Sequence, residues 1–173
     1  IASELPGTKI LLKGNHDYWW SSKTKVEKLL PSSLHIIHNN SLTFANVAIA
    51  GTRLWNSYEY HFDPFIEVKK NARVKPDPLS QEQHRKIFDK ELIRLQTSLA
   101  SIPSKVTRRI AMTHYPPIGA DLNTSKAAKL LEKFGIEICV FGHLHNVRPN
   151  ALPFGCKNGV EYVLTAADYL NFT

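Results

Sequence analysis

An α/β fold is what this sequence predicts, and three observations carry that expectation. Short apolar runs that read as strands alternate with stretches whose apolar residues recur at helical spacing. Three of the strand-like runs release chemistry-bearing side chains at their C-terminal ends. Lys9-Ile10-Leu11-Leu12 leads into Gly14-Asn15-His16-Asp17, Arg109-Ile110-Ala111-Met112-Thr113 into His114-Tyr115-Pro116-Pro117, and Ile138-Cys139-Val140-Phe141 into Gly142-His143-Leu144-His145. With 173 residues and 43% apolar content the chain can bury one good core, so residues 1–173 are taken as a single domain.

The elements follow in order. After the first strand, Ser21-Ser22 can cap a short helix from Lys23 to Leu30, with Val26, Leu29 and Leu30 inward and Pro31 as its stop. Leu34 to His38 and Val47 to Ala50 read as successive strands joined by the polar turn Asn39-Asn40-Ser41. Ser80-Gln81-Glu82-Gln83 is a capping box, and behind it Ile87, Phe88, Leu92, Leu95, Leu99 and Ile102 keep helical spacing. Another helix is expected from about Thr124 to Phe134, closed by Gly135, and a last strand from Val160 to Ala166.

Residues 55–79 break the alternation. Trp55, Tyr58, Tyr60, His61, Phe62 and Phe65 stand among polar residues without a period, and the Pro76-Asp77-Pro78 turn follows. A loop this long in a compact domain is functional or disordered, and its aromatics argue against disorder. It is expected to form a lid or pocket wall, with an aromatic side cluster under a surface loop as the alternative.

Composition narrows the function classes. No apolar stretch approaches the roughly 18 to 20 residues that span a bilayer, and no N-terminal signal-peptide pattern is present. Cys139 and Cys156 form no C-x-x-C pair and no disulfide framework, so a soluble protein of the reducing cytoplasm is expected, without a membrane partner. The net charge of +7 favours phosphate-bearing partners, whether a phosphorylated substrate or nucleic acid. Its basic residues are dispersed, with neither a basic stripe nor interleaved stacking aromatics, and this counts against a nucleic-acid-binding module. The chain starts at Ile1 and its only methionine is Met112, from which the expectation is that sequence preceding Ile1 has been removed.

The strand-end residues carry the chemistry. Gly14 permits a tight turn, the Asn15 carbonyl is a neutral oxygen ligand, and His16 beside Asp17 can form an imidazole held by a carboxylate, suited to general acid work. His143 and His145 alternate, and on an extended segment alternate side chains leave the same face. With His114 they can make a multi-histidine site for a first-row cation such as zinc, manganese or iron. Each histidine alone is better read as an ordinary hydrogen-bonded loop residue. Three strand ends finishing together in histidine are not explained by packing. Arg53, placed after the strand that begins at Val47, can reach the pocket and grip a phosphate, although a salt-bridged surface arginine is the preferred reading there. Arg148, close behind His145, carries the same ambiguity.

In that order, Gly14-Asn15-His16-Asp17, His114 and Gly142-His143-Leu144-His145 resemble the calcineurin-like metallophosphoesterase superfamily. The wording from Lys13 to Trp20 looks like a bacterial group of predicted phosphohydrolases within it. The resemblance implies two packed mixed β-sheets flanked by helices, an α/β/β/α sandwich, with two divalent ions (Mn, Fe or Zn) between the sheets. It implies that Asn15, His114 and His143 ligate the second ion and His145 the first. His16 would assist the leaving group, oriented by Asp17, while a hydroxide bridging the ions attacks a phosphate ester in line.

The family pattern also needs an Asp-x-His and a Gly-Asp, and none of Asp17, Asp63, Asp77, Asp89, Asp121 or Asp168 fits either. Circular permutation cannot hide them, because the whole chain lacks both patterns. The expectation is therefore a chain without the family's first β-α-β portion, with weak or partial metal occupancy and poor or absent turnover. An uncovered sheet edge prone to self-association is expected with it. The alternative is a binding or scaffold protein that has kept the fold and lost catalysis.

Overall fold

Alternating strands and helices divide the chain between two sheets in the computed structural model, which describes residues 4–67, 77–148, 151 and 154–171. Strand β1 (Lys9–Leu12) and strand β2 (Leu34–Ile37) run parallel, joined through helix α1 (Lys23–Glu27). Ser22 caps α1 by accepting from the Lys25 backbone N–H. Trp20, Val26 and Ile36 form a small core between helix and strands. Among the described residues β1 pairs only with β2, and all four β1 residues are half-buried.

The second sheet has six strands: β3 (Ser41–Phe44), β4 (Val47–Thr52), β5 (Arg108–Thr113), β6 (Ile138–Phe141), β7 (Cys156–Lys157) and β8 (Val160–Leu164). Their spatial order is β3-β4-β5-β6-β8-β7. The four central strands β4, β5, β6 and β8 are mutually parallel, while β3 and β7 pair antiparallel at the two edges. Parallel neighbours share one C-terminal edge, so whatever follows β4, β5, β6 and β8 meets there. Gly51 pairs with Met112 across β4 and β5, and a Cβ on Gly51 would lie 1.8 Å from the Met112 carbonyl oxygen. Glycine is required at that close approach.

Helix α2 (Gln81–Ala100) begins with the expected capping box: Ser80 accepts from Gln83 N–H and the Gln83 side chain accepts from Ser80 N–H. It packs on β4 and buries Phe88, Leu95 and Leu99, each worth about 2 kcal/mol of apolar burial. Ser98 is fully buried on the same face without cost, because its Oγ accepts from Gly51 N–H at 2.8 Å and donates to the Asn40 carbonyl at 2.6 Å. Helix α3 (Lys126–Lys133) starts from the Ser125 cap, and Gly135, at φ +65°, lets the chain leave for β6.

Two expectations about local structure change. Leu29 is 83% exposed rather than inward, because α1 closes at Lys28 before a further turn could carry it to the Val26 face. Leu34–Ile37 and Val47–Thr52 are not successive strands joined by a turn alone: the strand β3 lies between them in the chain and pairs with β4, while β2 joins β1. Of the segment 55–79, which includes a short 3-10 turn at Asp63–Phe65, residues 68–76 lie outside the described part. Among the described residues no helix is long and apolar enough to cross a membrane.

Candidate metal centre

The common C-terminal edge of the large sheet presents Arg53 after β4, His114 after β5, Gly142 to His145 after β6 and Asp168 beyond β8. The loop after β1 brings Asn15 to the same place from the smaller sheet. Asn15 Oδ1 lies 2.7 Å from His114 Nε2, and His143 Nδ1 lies 3.2 Å from that same nitrogen. An amide oxygen and two imidazole nitrogens thus stand within hydrogen-bonding distance around His114 Nε2, where a proton or a cation can be shared among them.

The backbone is bent to make this meeting. His143 adopts φ +70°, and Leu144 N–H donates to Gly142 O at 2.8 Å, closing a three-residue γ-turn around the histidine. Leu54, just beyond β4, is also left-handed at φ +58° although fully buried. Such conformations cost about 1 to 3 kcal/mol each and cluster at working sites. His114 is pinned by its own backbone, since His114 and Tyr115 N–H both donate to the Arg53 carbonyl, at 3.1 and 2.9 Å.

Electrostatics fits the same picture. Burial first, then the positive charge of Arg53 and the neighbouring His145 and His16, pull the His114 pKa down to about 4 against the opposing Asp17 carboxylate. Burial, followed by His114, His145 and His16, likewise takes His143 to about 4. Both imidazoles are therefore neutral at pH 7, the form in which a histidine ligates a metal.

The extended geometry expected for Gly142 to His145 is not found, because the γ-turn at His143 breaks the alternation. The two imidazoles part: His143 turns to His114, while His145 Nδ1 lies 2.8 Å from Asp168 Oδ1. The other Asp168 oxygen accepts from Asn146 N–H at 2.8 Å, which fixes the loop beneath His145. That backbone bond, with help from His145, holds the Asp168 carboxyl below its usual pKa. Asp168 went unrecognised in the sequence as a site residue, although it follows the last strand of the parallel set and strand-end position was the signal that could have found it.

The remaining site residues are placed as follows. His16 is exposed, close enough to His114 and His143 to lower their pKa values, and meets Tyr18 edge to face at 6.2 Å between ring centroids. Asp17 turns its oxygens to Gly14 N–H, at 2.7 Å, and to Trp19 Nε1, at 3.1 Å, so it shapes the Gly14–Trp20 loop rather than gripping the His16 ring. Arg53 lies 3.8 Å from the buried Glu91 carboxylate with its guanidinium 4.7 Å over the Trp55 ring, which is the salt-bridged arrangement. Tyr115 lies against His143 at 4.0 Å and Trp55 lies against Tyr115 at 5.3 Å, leading from the histidines into an open cleft of about 970 Å³. Trp55, Tyr58, Tyr60 and Phe62 line that cleft together with His143 and His145.

The donor set fits one cation better than two. Asn15, His114 and His143 supply an amide oxygen and two neutral imidazoles, which suit a borderline first-row metal. Among the described residues no group of three or more His, Cys, Asp or Glu side chains stands arranged to hold a metal ion. In the comparison with protein families, the model described as calcineurin-like phosphoesterase matches residues 2–147. No curated protein matches the chain.

Proposed function

Because the chain belongs to the calcineurin-like phosphoesterase family, we propose that it hydrolyses phosphate esters with the help of a divalent cation held by Asn15, His114 and His143. The observation that carries this reading is the convergence of Asn15 Oδ1 and His143 Nδ1 on His114 Nε2, at 2.7 and 3.2 Å, with both imidazoles kept neutral by burial. A divalent cation held by Asn15, His114 and His143 would supply Lewis-acid polarisation of a phosphoryl oxygen and would acidify a water.

This chain's own residues do the rest. The γ-turn at His143 and the double hydrogen bond from His114 and Tyr115 to the Arg53 carbonyl hold two donors in place before any ligand arrives. Asp168 accepts from His145 Nδ1, which leaves the Nε2 lone pair directed outward, the tautomer a ligating histidine needs. A second cation, if it binds, would use that nitrogen. His16, exposed to solvent near His114 and His143, is the group assigned to deliver a proton to the leaving-group oxygen. Arg53 contributes positive potential while anchored to Glu91. All three donors of the first site are neutral, so metal affinity and turnover in this chain are expected to be modest.

The test pairs calorimetric titration with Mn²⁺ and hydrolysis of an aryl phosphate by the metal-loaded chain. Binding and hydrolysis that both disappear in His114→Ala support the proposal. Metal binding without any hydrolysis favours the scaffold reading instead, and absence of both rejects the site.

A further inference from the structure

Helices α2 and α3 pack side by side, and a second cavity of about 330 Å³ lies between them, lined by no residue of the metal centre. Its surface is apolar along α2 and basic along α3. Leu92 and Leu130 are half-buried against the main core, and beside them Ile93 stays 67% exposed. An exposed isoleucine next to two leucines makes a continuous apolar patch, which calls for a partner where a scattered residue would not. Lys126, Lys129 and Lys133 line the same cavity from α3, at the i, i+3 and i+7 positions that share one helix face, so they form a cationic row about 10 Å long.

The row is left unneutralised. Among the described residues none of the three lysines forms an ion pair: Lys126 donates to the Tyr58 hydroxyl, and Lys133 Nζ lies 5.9 Å over the Phe134 ring. Nearby carboxylates are engaged elsewhere, Glu59 with the Lys126 backbone N–H at 3.1 Å and Glu132 with the Asn158 side-chain amide at 3.0 Å. Asp89, one turn before Ile93 on α2, stands outside the cavity lining and acts on Lys126 without pairing with it. We propose that this groove docks an acidic amphipathic helix of a partner protein, its apolar residues set against Leu92, Ile93 and Leu130 and its carboxylates along the lysine row. Two neighbouring helices leave a groove into which the side chains of a third can pack, and an apolar stripe flanked by Glu or Asp at helical spacing is the matching surface. The exposed charges orient the helix and speed its arrival, while apolar contact supplies the larger share of affinity. The net charge of +7 acts in the same direction, since it draws acidic partners and repels a second copy of this chain. No residue of the metal centre takes part, so docking is independent of phosphate-ester hydrolysis.

The probe is a fluorescein-labelled synthetic helix of about 15 residues, with leucine on one face and glutamate on both flanks, titrated with the full chain and read by anisotropy. Binding is expected in about 50 mM salt and should weaken about fivefold in about 300 mM. Ile93→Asp and the double variant Lys129→Glu/Lys133→Glu, all at exposed positions, should each weaken it about tenfold. The unaltered chain should reject a peptide with lysine in place of glutamate and a scrambled peptide without an apolar face, so the outcome does not depend on how any variant folds. Absence of binding, equal binding of either control peptide, or full affinity retained in either variant overturns the proposal. Tighter association with phosphatidylglycerol vesicles than with the peptide, lost in the same variants, also overturns it and makes the groove a lipid-facing surface instead.

Discussion

Glu91 offers the sharpest test of how the site is supported. Its side chain is 2% exposed, deep in α2, yet it is a carboxylate. It accepts from Thr52 Oγ1 at 2.7 Å and from Arg94 Nη1 at 2.5 Å, and Arg53 Nη2 stands 3.8 Å away. Thr52 is the last residue of β4 and Arg53 is the residue whose carbonyl holds His114, so Glu91 fastens the strand end on which the donor set rests. Replacing it with alanine leaves the buried Thr52 hydroxyl without its acceptor, at about 1 to 3 kcal/mol. The arginines, with side chains 36% and 25% exposed, lose pairings that solvent partly replaces, at about 0.5 kcal/mol each. Lost methylene packing adds about 1 kcal/mol. Glu91→Ala should therefore cost about 3 to 5 kcal/mol, and Glu91→Gln, which keeps an acceptor for Thr52, about 1 to 2. In a thermal melt at pH 7 these correspond to drops in Tm of roughly 10 °C and 4 °C for a chain of this size. Two variants each within about 0.5 kcal/mol of the parent would refute the reasoning, and so would a glutamine variant as damaged as the alanine one.

Two further outcomes can be checked on the same protein. For the metal-free chain, His114 and His143 have folded pKa values near 4, below the ordinary 6.5, so the unfolded state takes up more protons between those values. Their contribution to stability is complete above pH 6.5 and is lost progressively as pH falls toward 4. Urea titrations across this window should show a decline of about 2 to 4 kcal/mol, after allowance for screening at a partly open site, that disappears in the double variant His114→Phe/His143→Phe. Asp168→Ala removes the acceptor shared by His145 and Asn146 N–H. Amide exchange at Asn146 should accelerate about tenfold or more while the β5 and β6 amides keep their protection, and unchanged exchange at Asn146 would contradict the anchoring role.

Local chemistry made much of this molecule legible. Ser80 and Gln83 cap α2 as their spacing requires, because a capping box is complete within four residues. Gly135 closes α3 for a similar local reason, and the apolar runs at Lys9, Arg109 and Ile138 are strands whose ends carry Asn15, His114 and His143 to one edge. Leu29 misled because periodicity cannot tell how soon a short helix stops, and β3 escaped notice because Ser41–Phe44 is only four residues long, follows directly on a polar turn and takes its form from pairing with β4. The Arg53 guanidinium, too, was ambiguous until its partner on α2 was known.

The sequence by itself determined which residues have metal-binding and proton-transfer chemistry and that strand ends would present them, since residue type and periodicity are local properties. Only the tertiary structure decided that His143 turns back on His114 while His145 turns to Asp168, and that Trp55, Tyr58 and Tyr60 wall a cleft beside them. The physical reason is distance along the chain. Asn15 and His114 stand 99 residues apart, and His145 and Asp168 stand 23 apart. Their encounters are fixed by the parallel order of strands and by a left-handed turn whose strain the surrounding packing sustains, neither of which is written in any short stretch of residues.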